Sequence, residues 1–217
     1  RFAEIYYSMR NDAAWGEAKL CELSKDTLSS YAHPAVSPKG DYLYFVSDMP
    51  GGYGGLDLWR VSLNRVSFGP VENLGADINT DGDEMFPTFR SNGELYFSSN
   101  GRVGMGGLDI YKAVADSVTG RWEVSHMPFP VNSNGDDFGM TFDGEHNQGF
   151  FSSNRSNRRG WDKIYSFYCP EVIQTIKGWV YEQDGYELPK AIVYIVGDDG
   201  TNKKATIQLD GSFEETV

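Results

Sequence analysis

Along the first 168 residues, short runs of apolar and aromatic residues alternate with turns rich in Gly, Asp and Asn, and the runs return at a fixed interval. Leu56-Asp57-Leu58-Trp59 recurs as Leu108-Asp109-Ile110-Tyr111, and more loosely as Trp161-Asp162-Lys163-Ile164-Tyr165. An echo opens the chain at Ala3-Glu4-Ile5-Tyr6. The acids at 4, 57, 109 and 162 lie 53, 52 and 53 residues apart. Upstream of each acid a second run repeats. Leu43-Tyr44-Phe45-Val46-Ser47-Asp48 has partners in Leu95-Tyr96-Phe97-Ser98-Ser99-Asn100 and Phe150-Phe151-Ser152-Ser153-Asn154. A Gly-rich loop joins the two runs, at residues 51–55 and 101–107. A further short strand is expected after each acidic run, near 15–20, 68–74 and 122–127.

Each unit of about 53 residues therefore predicts four short strands. The middle strands are aromatic or aliphatic on both faces, which suits a sheet covered on each side. Four-stranded sheets repeated at constant spacing predict an all-β fold of the β-propeller type. Residues 16–30 have some local helical character, but the repeat assigns them to an outer strand and a linker, and the repeat is the stronger signal. Residues 1–23 supply two strands, 32–75 and 84–128 a full set each, and 138–168 three. That inventory does not close a ring, so the expectation is part of a larger propeller over residues 1–170.

After Cys169-Pro170 the period stops. Apolar alternation near 173–180, 191–196 and 205–209, with turns at Gln183-Asp184-Gly185, Asp198-Asp199-Gly200 and Asp210-Gly211, predicts part of a β-sandwich over residues 171–217.

Composition narrows the function classes. A net charge of −12 argues against nucleic acid and against docking on anionic lipid. No apolar run is long enough to span a bilayer, so no direct membrane insertion is expected. Thirteen Phe, thirteen Tyr and five Trp are too many for a disordered chain. Cys21 and Cys169 are too few for a metal site; two free thiols are expected, with one disulfide as the alternative.

Pro34-x-x-Ser37-Pro38-x-Gly40, then Leu43-Tyr44-Phe45-x-Ser47, then Gly54-Gly55-Leu56-Asp57-Leu58-Trp59 resembles the TolB-type, WD-repeat-like propellers of OmpA-family envelope proteins. The tail motifs Ile176-Lys177-Gly178-Trp179-Val180, Leu188-Pro189-Lys190-Ala191-Ile192-Val193 and Leu209-Asp210-Gly211-Ser212-Phe213 resemble a carboxypeptidase-regulatory-like domain. That order is similar to PorE-like accessory proteins of the type IX secretion system. The resemblance implies a non-enzymatic scaffold in the periplasm, associated with the outer membrane, whose partners are envelope proteins. Peptidoglycan would be reached only through a domain outside this chain.

Candidate chemistry is sparse. Asp77-x-Asn79-x-Asp81-Gly82 matches half a calcium loop, but Thr88 stands where a bidentate Glu is required, so an inter-repeat turn is expected. Gly101-x-x-Gly104-x-Gly106-Gly107 leads into a strand rather than a helix, which points to a hairpin loop with positive φ, not a phosphate cradle. Asp57, Asp109 and Asp162, one per repeat, suggest a structural hydrogen bond; no catalytic residue, cofactor or metal is assigned. Asp26-Thr27-Leu28 and Asp116-Ser117-Val118 match a short pattern for periplasmic O-glycosylation. The candidate partner-binding residues are Tyr53 and Trp161 in the loops, with the basic cluster Arg155, Arg158 and Arg159. A glycan-binding or glycan-processing propeller is the alternative, as is one regulating a hydrolase outside this chain.

Overall fold

Runs of β-branched and aromatic residues broken by Gly and Asp favour strands over helices, and the described residues contain strands and no helix. The computed structural model describes residues 2–64, 68–155, 161–170, 174–188, 190–197 and 202–216. It divides into two units, Arg1–Cys169 and Pro170–Val217.

In the first unit, β1 (Tyr6–Tyr7) pairs with β2 (Lys19–Leu20). A four-stranded antiparallel meander follows: β3 (Tyr31–Val36), β4 (Tyr42–Ser47), β5 (Asp57–Leu63) and β6 (Phe68–Asn73). A second has the same order, with β7 (Glu84–Phe89), β8 (Leu95–Ser99), β9 (Asp109–Ala115) and β10 (Trp122–His126). The third sheet has three strands, β11 (Asp137–Phe142), β12 (Gln148–Ser153) and β13 (Lys163–Tyr168). Residues 16–30 form the outer strand β2 and extended chain, as the repeat requires.

The core lies between successive sheets. Ile5, Cys21 and Leu23 pack on Phe45, Trp59 and Val61 of the first sheet. The opposite face of that sheet, Val46 and Leu58, packs on Leu95, Phe97 and Tyr111 of the second. Tyr96 and Ile110 then pack on Met140 and Phe151 of the third. Burying Phe45 and Phe97 completely is worth roughly 1.5–3 kcal/mol each. Both faces of β4 and β8 are therefore apolar because each sheet is sandwiched by its neighbours.

The first strand of each sheet carries a β-bulge, between Ala32 and Ala35, Met85 and Thr88, and Phe138 and Thr141. Positive φ falls at the same place three times, at His33 (47°), Phe86 (55°) and Gly139 (66°). The bulge interrupts the ladder where Pro34 and Pro87, which lack an N–H, enter the strand. His33 stacks on Phe86 at 4.1 Å between ring centroids, and Phe86 on Phe138 at 5.0 Å. Favourable ring contacts accompany the two L-residues held in the left-handed region.

In the second unit, β14 (Thr175–Trp179) pairs with β17 (Ser212–Thr216), and β15 (Ile192–Val196) with β16 (Asn202–Thr206). The strand near 173–180 does not form a hairpin with the one near 191–196. It takes its partner from the end of the chain, because Lys177 and Gly178 lie in register with Glu214 and Phe213. Lys177 and Glu214 form an ion pair at 2.9 Å, and Phe213 packs against the bare Cα of Gly178.

Candidate functional site

In the first two sheets, the loops that join the second and third strands carry exposed apolar side chains on a braced frame. Asp57, 1% exposed, accepts hydrogen bonds from the N–H groups of Tyr53 (2.6 Å) and Gly54 (3.3 Å), and from Asn73 Nδ2 (2.9 Å). Asp109 accepts the same pair of loop N–H groups, from Met105 (2.8 Å) and Gly106 (3.0 Å). The repeated acid folds the loop by gathering its N–H groups, and the side chains of Tyr53 and Met105 project outward.

The third member departs from this pattern. Ser47 faces Asp57 across the ladder and Ser99 faces Asp109, but Ser153 faces Lys163. Asp162 is exposed and one position off the register. The facing positions are ten residues apart in all three sheets, so the third acid comes one residue early, which the near-constant spacing of the acids concealed.

A second set of bonds clasps each loop to the connection entering the next sheet. Asn79 Oδ1 accepts Leu58 N–H at 2.8 Å, while its Nδ2 donates to Leu58 O at 2.9 Å. Asn132 makes the same pair with Ile110, each at 2.8 Å. A buried amide thereby completes the ladder as a backbone unit would. Asp83 and Asp136 accept the N–H groups of Leu56 and Leu108 at 2.9 Å, and are held in turn by Asn100 and Asn154. The glycines follow from this close approach. A Cβ on Gly54 would come within 2.5 Å of the Gly82 carbonyl oxygen, and one on Gly106 would overlap that of Gly135. Of the glycines in residues 51–55 and 101–107, only Gly51 has positive φ, so backbone proximity rather than dihedral demand accounts for most of them.

The half-calcium loop is occupied by its own bonds. Asp77 pairs with Arg121 Nε at 2.6 Å and Nη2 at 2.5 Å, which holds its carboxyl below the usual range, and Asn79 is spent on Leu58. The described residues hold no cluster of three or more His, Cys, Asp or Glu placed to share a metal ion. Asp26 and Asp116 accept the N–H two residues on, from Leu28 and Val118, each at 2.9 Å. These Asx turns explain both aspartates locally. Cys21 is buried, Cys169 is exposed, and both thiols are free.

Arg155, read from sequence as part of a basic loop, has its guanidinium turned inward. It donates to Asp137 Oδ1 at 2.6 Å, to Pro130 O at 2.5 Å and to Val131 O, and it lies over the Phe151 and Tyr165 rings. Arg102 does the same in the second sheet, reaching Asp77 O and Ile78 O beside Phe97 and Tyr111. The arginine is thus a repeat element that closes the inter-sheet connection, a role hidden because the surrounding loop sequences differ. Arg158 and Arg159 lie outside the described residues. Trp161 is 66% exposed and Tyr53 is 54% exposed. The structure adds two residues to this rim that sequence reasoning passed over, Val103 at 97% and Met105 at 48%. The available signal was an apolar residue inside a Gly-rich loop.

A groove of about 650 Å³, lined by Phe142, Phe150, Ser166 and Tyr168 among others, lies on the third sheet, away from these loops.

No family model matches the chain, and no curated protein matches it. Among solved structures, the chain is similar to one from a structural and mechanistic study of two prolyl endopeptidases. Identity is 13% and the TM-score 0.46, over 93% of this chain and 27% of that one. The chain thus spans about a quarter of that structure's length.

Proposed function

We propose that residues 1–170 are part of a β-propeller serving as a non-enzymatic protein-binding scaffold. The observation that carries this reading is the braced rim: Tyr53, Val103 and Met105 are exposed on two equivalent loops whose backbones are fixed by Asp57, Asp109 and the clasps, and Trp161 is exposed just before β13. Ordered loops carrying apolar anchors lose little entropy when a partner binds, which favours recognition over turnover. The carboxyls of Asp57 and Asp109 gather backbone N–H groups of their own loops, which is a structural rather than an acid–base role. The propeller reading rests on two four-stranded meanders and a third partial one, packed face to face in series.

The partner class we propose is protein in the cell envelope, with the chain in the periplasm and associated with the outer membrane, as part of a type IX secretion accessory protein. The repeat and tail motifs resembling that family support this placement. Residues 171–217 are proposed as part of a carboxypeptidase-regulatory-like domain.

The test compares capture of envelope proteins by the chain and by a Tyr53→Ala/Val103→Ala/Met105→Ala/Trp161→Ala variant, with Arg155 left intact. Loss of specific protein capture in a variant that still folds supports the rim. Unchanged capture, or saturable glycan binding with no protein recovered, overturns the scaffold reading.

A further inference from the structure

We propose that His126 is a proton-operated latch on the second rim loop, whose imidazolium binds the buried Asp109 carboxylate and tightens the backbone that carries Met105. The latch acts on the loop itself, whatever the rim binds. The second sheet packs on the first with one face and on the third with the other, and Asp109 is 1% exposed.

The two oxygens of Asp109 have different surroundings. Oδ2 accepts the N–H groups of Met105 and Gly106. Oδ1 is buried with no hydrogen-bond partner among the described residues, and His126 Nε2 stands 3.7 Å from it. In the first sheet Asn73 occupies the place of His126, opposite Trp59 as His126 is opposite Tyr111, and donates to Asp57 at 2.9 Å at any pH. His126 is free to do the same once protonated. Its Nε2 lies 3.0 Å from Asn132 Nδ2, but the two hydrogens of that amide already have acceptors in Ile110 O and Met127 O, each at 2.8 Å. A proton on Nε2 therefore costs Asn132 no bond it needs and gives Oδ1 a donor. The His126 side chain is 28% exposed, so solvent protons reach it.

Charge favours a cation at this point. Asp109 and Glu84, both buried carboxylates, act on Tyr111, with the Arg102 guanidinium over its ring. Burial first, and then the Asp109 charge, push the Tyr111 hydroxyl up to about 12. Glu84 is held by Thr80 and Ser99, while Arg102 gives its Nη2 to the carbonyls of Asp77 and Ile78. Charges on the adjoining elements are already engaged: Lys112 with Glu94, Asp136 with Leu108 N–H and Asn154, and Asp137 with Arg155. The third sheet is balanced, since Asp137 has Arg155 and Lys163 stands at the repeat's acidic position. The second sheet sets two buried acids against one arginine, and His126 is placed to supply the missing charge. The imidazolium gains its partner only in the folded chain. The latch is therefore closed at low pH and lost as pH rises through the range in which histidines titrate.

The experiment follows amide exchange of the full chain by NMR at about pH 8 and about pH 5.5, across the histidine range. Rates are expressed as protection factors, which remove the intrinsic effect of pH on exchange. Protection of the Met105 and Gly106 amides should rise about tenfold at the lower pH, the scale of one hydrogen bond to a charged group. Protection of Tyr53 and Gly54, held by Asp57, should stay level. In His126→Asn, which donates at any pH, Met105 and Gly106 should be equally protected at both. In His126→Phe, which keeps a ring beside Tyr111 but cannot donate, they should stay at the lower level at both. His33 and His146 remain in both variants, so a rise that survives in either belongs to another group and overturns the proposal. A parent protein with no rise, or with an equal rise at Tyr53 and Gly54, overturns it as well. So does protection already high at the upper pH and unchanged at the lower, since Oδ1 would then hold a donor other than His126.

Discussion

Replacing His126 with Asn should stabilise the first unit, although it removes an aromatic ring from a half-buried site. In the first sheet Asn73 satisfies two neighbours together: its Nδ2 donates to Asp57, and its Oδ1 accepts Asn79 Nδ2 at 2.9 Å. His126 holds the equivalent place in the second sheet but serves one neighbour well. Its Nε2 is 3.0 Å from Asn132 Nδ2, whereas Asp109 Oδ1, buried and 3.7 Å away, has no hydrogen-bond partner among the described residues. Supplying a donor to a buried carboxyl oxygen recovers roughly 1.5–3 kcal/mol. Loss of the edge contact between His126 and Tyr111, at 5.2 Å, costs about 0.5–1.5 kcal/mol. The net gain is about 1 kcal/mol, a rise in Tm of about 2–4 °C for a unit of this size. The reciprocal change, Asn73→His, removes the donor from Asp57 and should cost about 1–3 kcal/mol. Thermal unfolding of both variants at pH 8, followed by near-UV circular dichroism, checks the pair. A His126→Asn protein no more stable than its parent, beside a neutral Asn73→His, would refute the reasoning by showing that Asp109 Oδ1 carries no penalty.

Three further outcomes follow from the clasps. Gly106→Ala should destabilise by about 1–3 kcal/mol or more through overlap with the Gly135 carbonyl, against only about 1 kcal/mol for Gly75→Ala, where the space is open and φ alone is strained; urea midpoints distinguish the two. Arg155→Ala leaves the buried Asp137 carboxyl without its cation and should cost about 3–5 kcal/mol, so a global fall in Tm should accompany any loss of partner binding in that variant. Asp77 has its carboxyl lowered first by Arg121 and then by the Trp122 N–H. Its folded pKa lies below the unfolded one, so its stabilisation is complete above the ordinary value of about 3.9 and is lost as pH falls through the folded value. Arg121→Gln should move the Asp77 carboxyl titration, read by carbon NMR, upward toward the ordinary range.

The repeat was legible because sheet-on-sheet packing imposes the same demands on every unit. Tyr44 and Tyr96 must fill the space between sheets, and Asp57 and Asp109 must gather the same two loop N–H groups. Strand positions and the outer-strand assignment of β2 followed from that periodicity against a local helical bias. The rim was half legible: Tyr53 and Trp161 are conspicuous aromatics in loops, while Val103 and Met105 are ordinary residues whose exposure depends on where the loop points.

What the sequence determined alone was periodicity, and with it the all-β character, the meander order and the break near residue 170, because alternation and turn chemistry are local properties. Tertiary structure decided the assignments that depend on register and direction. The third acid, Asp162, comes one residue early and leaves Lys163 at the repeat's acidic position, which no count of spacings near 53 could reveal. An arginine that looked like an open cation proved to be an inward brace, since a guanidinium seeks whichever carbonyls and carboxyl the fold brings within reach. The strand at 175–179 took its partner from the far end of the chain, because pairing depends on which edges meet in space and not on which follow one another in sequence.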